Sequence, residues 1–407
     1  MGGVGIVGTG ISGLILALRL QRLGVDATIY SESGVDELGG GRLPNTVGFF
    51  ERTVARGREL GAKHFTGDGC EMQRIDFSIT GAPAMRFTGH TTRPFRAVDF
   101  RALLPALLTD FLTRGGRLEH TRAAPTAAEM ETWSDRHELM VVATGRESVA
   151  ELFPRDPARS PYDRPQRRLC AALCTGITPV EPSGFNFSVS PGVGEIYQMP
   201  MEGRYGVVAG LLIEAIPGGP LTPLTERGTA DDLPAYNATL LRLLREHAPP
   251  VARRIDPGAF GILGPDDILQ GAVIPTVRHP VAEFGNGRIA LAVGDAWITN
   301  DPITGQGANL GSHCAWIVAE EIAKGGPYDA AFGRRVSEEL WTYARYVTEW
   351  TNAFLQPPPD YLLALLAAAS AEQRLADTFS DFFSDPVHAW TILSDPARVQ
   401  ALIGGTG

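Results

Sequence analysis

Three glycines stand at fixed spacing near the start of the chain, in Gly8-Thr9-Gly10-Ile11-Ser12-Gly13. They follow a short apolar run, Val4-Gly5-Ile6-Val7, and precede Leu14 to Leu23, whose apolar residues recur at helical spacing. Residues of this kind bind a diphosphate through the backbone. Gly8 permits the tight turn, Gly10 lets the main chain approach a pyrophosphate, and Gly13 allows close packing of helix on strand. Ile11 and Ser12 then open the helix, where free N–H groups and the positive dipole end favour an anion. An acidic residue is expected about twenty positions further on to hold ribose hydroxyls. The chain reads Tyr30-Ser31-Glu32-Ser33 there, with Ser31 at the acidic position and Glu32 one place later. Ligand contact and a solvated strand end are both compatible with that order.

A second group lies almost three hundred residues away. Gly294-Asp295 follows the apolar run Ile289 to Val293, and Asp301-Pro302-x-x-Gly305-Gln306-Gly307-x-Asn309 leads into a long helix. A Gly-Asp pair at a strand end suits an acceptor for the ribityl or pyrophosphate region of FAD. The glycine-rich helix start places N–H groups and a positive dipole end where a reduced flavin carries negative charge. Gly294, Asp295, Pro302, Gly305, Gln306, Gly307 and Asn309 are therefore expected to contact the cofactor together with Gly8 to Gly13. No nucleophilic triad or metal set accompanies them. His64, His279 and His313 are scattered, and the four cysteines include a CxxxC pair, Cys170 and Cys174, with no partner pair at zinc spacing.

These residues need parallel strands and helices to hold them. Asp26 to Tyr30 reads as a second strand, and Leu139 to Ala143 and Ile289 to Val293 as buried strands of parallel type. Arg52–Leu60, Ala97–Leu112 and Asn309–Ala323 read as helices, and the chain beyond Tyr328 as mostly helical with a break at Pro357-Pro358-Pro359. Strand-rich stretches, Phe77–Phe95 and about 168–215, fall between the nucleotide-binding elements, so one unit is inserted into another. The 407 residues carry a formal net charge of −10 with no basic run, which argues against nucleic acid and against an anionic membrane surface. The apolar start lacks a basic flank, and no stretch approaches a membrane span. A cytoplasmic protein with no membrane or nucleic-acid partner is expected.

The ordered set Gly8–Gly13, Arg42-Leu43-Pro44-Asn45-Thr46-Val47, Met85-Arg86-Phe87, Arg96-Ala97-Val98-Asp99, Pro165-Gln166-Arg167, Asp267-Ile268-Leu269-Gln270-Gly271 and Asp301–Asn309 resembles the oxygenase component of styrene and indole monooxygenases along essentially the whole chain. The resemblance implies an α/β fold of para-hydroxybenzoate-hydroxylase type. Its Rossmann-like FAD-binding domain (1–45, 97–165, 280–325) is interleaved with a β-sheet substrate domain (46–96, 166–279) and followed by a helical C-terminal region (326–407). It also implies a homodimer in a two-component system. A separate NADH-dependent flavin reductase supplies reduced FAD, which forms a C4a-(hydro)peroxyflavin with O2 and epoxidises a styrene-like alkene or the indole C2=C3 bond.

Carried onto this chain, the resemblance places Arg42 and Arg101 near the flavin, and Asn45, Pro302 and Thr304 beside the reacting atoms. Asn45, Val47 and Phe49 alternate, so an extended segment would turn them to one face, the substrate pocket; Phe95 joins them. On this reading Phe49→His alters substrate preference with little effect on flavin binding. Single-component NAD(P)H hydroxylases carry an Asp-Gly signature after the middle strand. This chain reads Val141-Val142-Ala143-Thr144-Gly145-Arg146 and has no second GxGxxG. A flavin-dependent halogenase is the other alternative, and its Trp-x-Trp-x-Ile motif is missing. A reductase domain would need well over ~100 further residues.

Overall fold

A computed structural model describes residues 3–65, 70–81, 84–145, 149–226 and 228–405. Arg146, noted in the sequence, lies outside them. The strand Val4–Val7 lies at the centre of a six-stranded sheet and pairs in parallel with Ala27–Ser31 on one side and Leu139–Val142 on the other. Ile289–Ala292 extends the sheet in parallel beyond Leu139–Val142, and Arg117–His120 beyond Ala27–Ser31. Only the edge strand Val281–Glu283 is antiparallel. The continuous apolar runs follow from this: Val4–Val7, Leu139–Val142 and Ile289–Ala292 are buried at every position because helices cover both faces.

Helix Ile11–Arg22 crosses helix Gly307–Ala323 at close range. A Cβ on Gly311 would come 2.4 Å from the Ser12 hydroxyl, and one on Gly294 would come within 2.6 Å of it. Small residues thus bring the two cofactor-binding segments together, though they are almost three hundred positions apart. The helix predicted from Ala97 begins instead at Phe100, because Met85–Ala97 is a long strand and Asp99 caps the helix by accepting from Arg101 N. The helix predicted from Asn309 starts two residues earlier, at Gly307.

The other strands form a nine-stranded sheet that includes Glu71–Ile79, Met85–Ala97, Arg168–Thr175, Gly184–Ser190, Gly194–Gly203 and Gly206–Ala215. One face packs on helix Leu233–His247 through Leu240, Leu243 and Leu244. The C-terminal helices cover the other, with Trp350, Phe379, Phe382 and Phe383 in its core. Gly89 makes this second contact possible: a Cβ there would lie 2.1 Å from the Ala376 carbonyl oxygen. The four cysteines are buried and unbridged, and no helix among the described residues is long and apolar enough to cross a membrane.

Candidate active site

A cavity of ≈ 520 Å³ runs from the glycine turn, across the C-terminal ends of the parallel strands, to the inner face of the large sheet. At its first end Gly8 has φ +111°, and a Cβ on Gly13 would meet the Gly8 carbonyl oxygen at 2.2 Å. Helix Ile11–Arg22 has Gly10 as its N-cap and no side chain capping it. Its first N–H groups therefore remain available to a ligand. Gly10 is open, with only the Ala143 carbonyl oxygen, 3.8 Å away, near the position of a Cβ.

Ser31 and Glu32 both line the cavity. The Ser31 hydroxyl is committed to the turn: it bonds Thr9 Oγ1 at 2.8 Å and accepts from Ser33 N at 3.0 Å. Asp295 lines the same cavity and is exposed to it, and the protein around the cavity, by displacing solvent, raises its pKa. Glu32 and Asp295 are the only charged side chains in the wall among the described residues. Beyond Asp295 come Asn300, Pro302, Thr304, Gly305 and Gly307. The short turn Pro302–Thr304 is held from behind: Asp301 caps it at Ile303 N, Tyr197 Oη donates to the Ile303 carbonyl at 2.9 Å, and Thr304 meets Thr351 at 2.6 Å.

The far end is aromatic. Phe50 lies 5.8 Å from Phe95 and 6.1 Å from Phe383 between ring centroids, and Phe185 lies 5.7 Å from Tyr197. Ile75, Met199 and Leu212 complete this wall, with Asn45 and Val47 at its edge. Of these, the sequence had singled out Asn45, Val47 and Phe95. Phe185, Tyr197, Met199 and Leu212 come from strands whose facing is fixed only by sheet register, and Phe383 from the C-terminal helices. No local pattern marks them.

Seven predicted site residues do not line the cavity. Arg42 is exposed and turned to the 265–266 loop, 3.6 Å from Asp266. Arg101 is buried between Asp99 and Asp267 at 2.6 and 2.8 Å, where it locks its helix to that loop. Phe49 lies wholly outside the cavity, packed against Phe65 and Phe100, because 42–47 is not a strand and the alternation begins only at Gly48. Its neighbour Phe50 faces the cavity instead. Gln306 donates to the Phe383 carbonyl at 2.8 Å. Asn309 clamps the wall: its Oδ1 accepts from Phe50 N and Thr53 Oγ1, and its Nδ2 donates to the Gly48 and Gly305 carbonyls. Gly13 and Gly294 act by packing rather than by lining the cavity.

The residues present fit FAD. An open glycine and an uncapped helix start suit the diphosphate. Asn45 Oδ1, Thr46 Oγ1, Thr121 Oγ1 and both amide atoms of Asn300 are buried polar atoms on the wall with no partner among the described residues. Such atoms carry a cost unless a ligand or water meets them. Asp295→Ala is expected to weaken FAD binding by ~1–3 kcal/mol through a lost charge-assisted hydrogen bond. Fluorescence titration of the apoprotein checks this, and unchanged affinity would remove Asp295 from the cofactor site.

The fold recurs in solved flavoenzymes. The flavin-dependent brominase Bmp2 superposes with a TM-score of 0.62 at 13% identity, covering 100% of this chain and 99% of that one. The p-nitrophenol 4-monooxygenase PnpA from Pseudomonas putida DLL-E4 gives 0.62 at 14% identity, with 98% of each chain covered. Residues 145–254 match the family described as "Styrene monooxygenase A putative substrate binding domain". Styrene monooxygenase StyA of Pseudomonas fluorescens is 35% identical over 401 residues, which span 97% of this chain and 96% of that protein, and StyA of a Pseudomonas sp matches to the same extent. Fold, site and relatives together define an FAD-dependent monooxygenase. Within that class, the chain belongs to the styrene monooxygenase family.

Proposed function

We propose that this chain is the oxygenase component of a two-component system, receiving reduced FAD from a separate NADH-dependent flavin reductase and epoxidising a small apolar aromatic alkene of styrene type, or the indole C2=C3 bond. One observation carries the reading. The glycine cradle opens into a chamber walled by Phe50, Phe95, Phe185, Tyr197 and Phe383, and no charged side chain among the described residues enters that end. A neutral aromatic substrate is matched there, whereas a carboxylate or phenolate would find no counter-charge.

Bound reduced FAD supplies the activation of O2. The chain supplies position and environment. Amides of the Gly8–Gly13 turn would hold the diphosphate, and Asp295 would accept from the ribityl or diphosphate region. The N-terminus of helix Gly307–Ala323 favours negative charge on the flavin ring. Pro302 and Thr304 line the cavity between cradle and chamber, where ring and substrate would meet, and Asn45 offers an Oδ1 with no partner among the described residues at the chamber edge. The aromatic wall excludes water.

The test is product analysis with styrene and indole side by side, using any reductase that supplies reduced FAD. Styrene oxide or indole oxidation products are expected only when the reductase is present. Flavin reduction by the pure protein with NADH alone would overturn the two-component reading.

A further inference from the structure

Behind the Pro302–Thr304 turn lies a cluster of ionisable groups outside the cavity wall. Three carboxyl groups, Glu195, Glu214 and Asp301, are buried there with a single guanidinium, Arg167. Arg167 is committed to Glu195 by two bonds, Nε to Oε2 at 2.7 Å and Nη2 to Oε1 at 3.0 Å. Its Nη1 donates to the carbonyls of Gln166 and Leu355. That pair is electrically complete. Glu214 and Asp301 remain, close enough for the carboxyl of each to act on that of the other. Both oxygens of Glu214 and Oδ2 of Asp301 are buried with no N–H or O–H donor among the described residues. Asp301 Oδ1 accepts from Ile303 N at 3.1 Å.

Two facing carboxylates without a cation repel strongly at this depth, and each lone pair lacks a donor. One added proton cures both defects, because a protonated carboxyl donates to its neighbour. We propose that Glu214 and Asp301 hold one proton in common and serve as a positioning pair that fixes the turn Pro302–Thr304 against the cavity. The chain of support runs from Glu214, through the shared proton to Asp301, then to Ile303 N and the turn. Tyr197 meets the same turn at the Ile303 carbonyl.

The surroundings act in the same direction. Burial pushes the Glu214 carboxyl well above its usual range, with Asp301 and Glu195 adding to the shift and Arg167 opposing it. Burial likewise raises Asp301, while its bonds to Glu214 and Ile303 N and the charge of Arg167 pull it down. Tyr197, on the neighbouring strand, stays neutral because burial raises its hydroxyl further still. A carboxyl whose folded pKa exceeds its unfolded one keeps a proton that the unfolded chain gives up. Stability is therefore complete below the ordinary carboxylate range and falls as pH rises through the folded value, by up to about tenfold in the folding equilibrium per pH unit.

The experiment compares wild type with Glu214→Gln and Asp301→Asn, whose amides donate without titrating. On the apoprotein at neutral pH, infrared spectroscopy is expected to show the C=O stretch of a protonated carboxyl, which Glu214→Gln removes. Thermal unfolding followed over about pH 5 to pH 9 is expected to show wild type losing stability relative to Glu214→Gln as pH rises. FAD affinity is expected to fall over the same window in wild type and to hold in the amide variant. The spectroscopic and unfolding readouts need no flavin, so they stand apart from the function proposed above. Absence of the band in wild type, identical pH slopes in wild type and both variants, or failure of both amide variants to fold at neutral pH would overturn the shared proton.

Discussion

Gly10→Ala and Gly13→Ala, two residues of one motif, are expected to fail in opposite ways. At Gly13 an added Cβ lies 2.2 Å from the Gly8 carbonyl oxygen and 3.2 Å from its carbon. Both are backbone atoms of the turn, so no rotamer change relieves the contact, and the helix must back away from the central strand. A cost of ~3 kcal/mol or more is expected, at the upper end for overpacking. Thermal unfolding of the apoprotein reads it directly. At Gly10 the nearest protein atom is 3.8 Å away, so the fold accepts the methyl group. The methyl occupies space that a diphosphate needs to reach the helix amides. FAD affinity is expected to drop roughly 100-fold, ~3 kcal/mol, with the unfolding midpoint of the apoprotein unchanged. A Gly10→Ala protein that binds FAD normally would remove the turn from the cofactor site.

The contrast shows which parts of the site are legible in sequence. Gly8, Gly10 and Gly13 are fixed by local backbone geometry, and the Gly-Asp and Asp-Pro-x-x-Gly-Gln-Gly segments by strand ends and a helix start. Spacing alone exposes such features. The parallel sheet is legible for the same reason, as continuous apolar runs mark buried parallel strands. Arg101 is different: its buried partner Asp267 lies 166 positions away. Gln306 reaches the Phe383 carbonyl across 77. Nothing local distinguishes an arginine destined for a flavin from one that locks a helix to a loop. The chamber wall is illegible on the same ground, since the facing of Phe185, Tyr197 and Leu212 depends on the register of strands from distant segments.

Long-range contacts also explain how one face of the cavity stays polar and the other apolar. Asn309 meets Phe50 N, Thr53 and the carbonyls of Gly48 and Gly305, so the first turn of the cofactor-binding helix directly holds the segment that carries Phe50. Flavin cradle and substrate wall therefore share one support. A change at either is expected to be felt at the other through such polar links, Asn309 to Phe50 N, Gln306 to the Phe383 carbonyl and Tyr197 to the Ile303 carbonyl, because the two sheets have separate hydrophobic cores.

Phe49 and Phe50 put this arrangement to its sharpest test. Phe49 is fully buried, 5.3 Å from Phe65 and 6.0 Å from Phe100 between ring centroids. Phe49→His removes aromatic packing and buries ring nitrogens among apolar groups, for an expected loss of ~2–4 kcal/mol in stability. The protein that folds is expected to keep its substrate preference, contrary to the alternation read from the sequence. Phe50→Ala has the opposite profile. Its backbone N–H stays bonded to Asn309 while the ring leaves the space between Phe95 and Phe383, so the chamber enlarges and the fold is retained. The ratio of kcat/KM for a bicyclic vinylarene to that for styrene is expected to rise roughly tenfold, ~1.4 kcal/mol, within the range for a cavity-lining group in an apolar pocket. Measuring that ratio and the unfolding midpoint for both variants separates wall from core. A Phe49→His protein as stable as wild type with altered preference would put Phe49, and not Phe50, against the substrate.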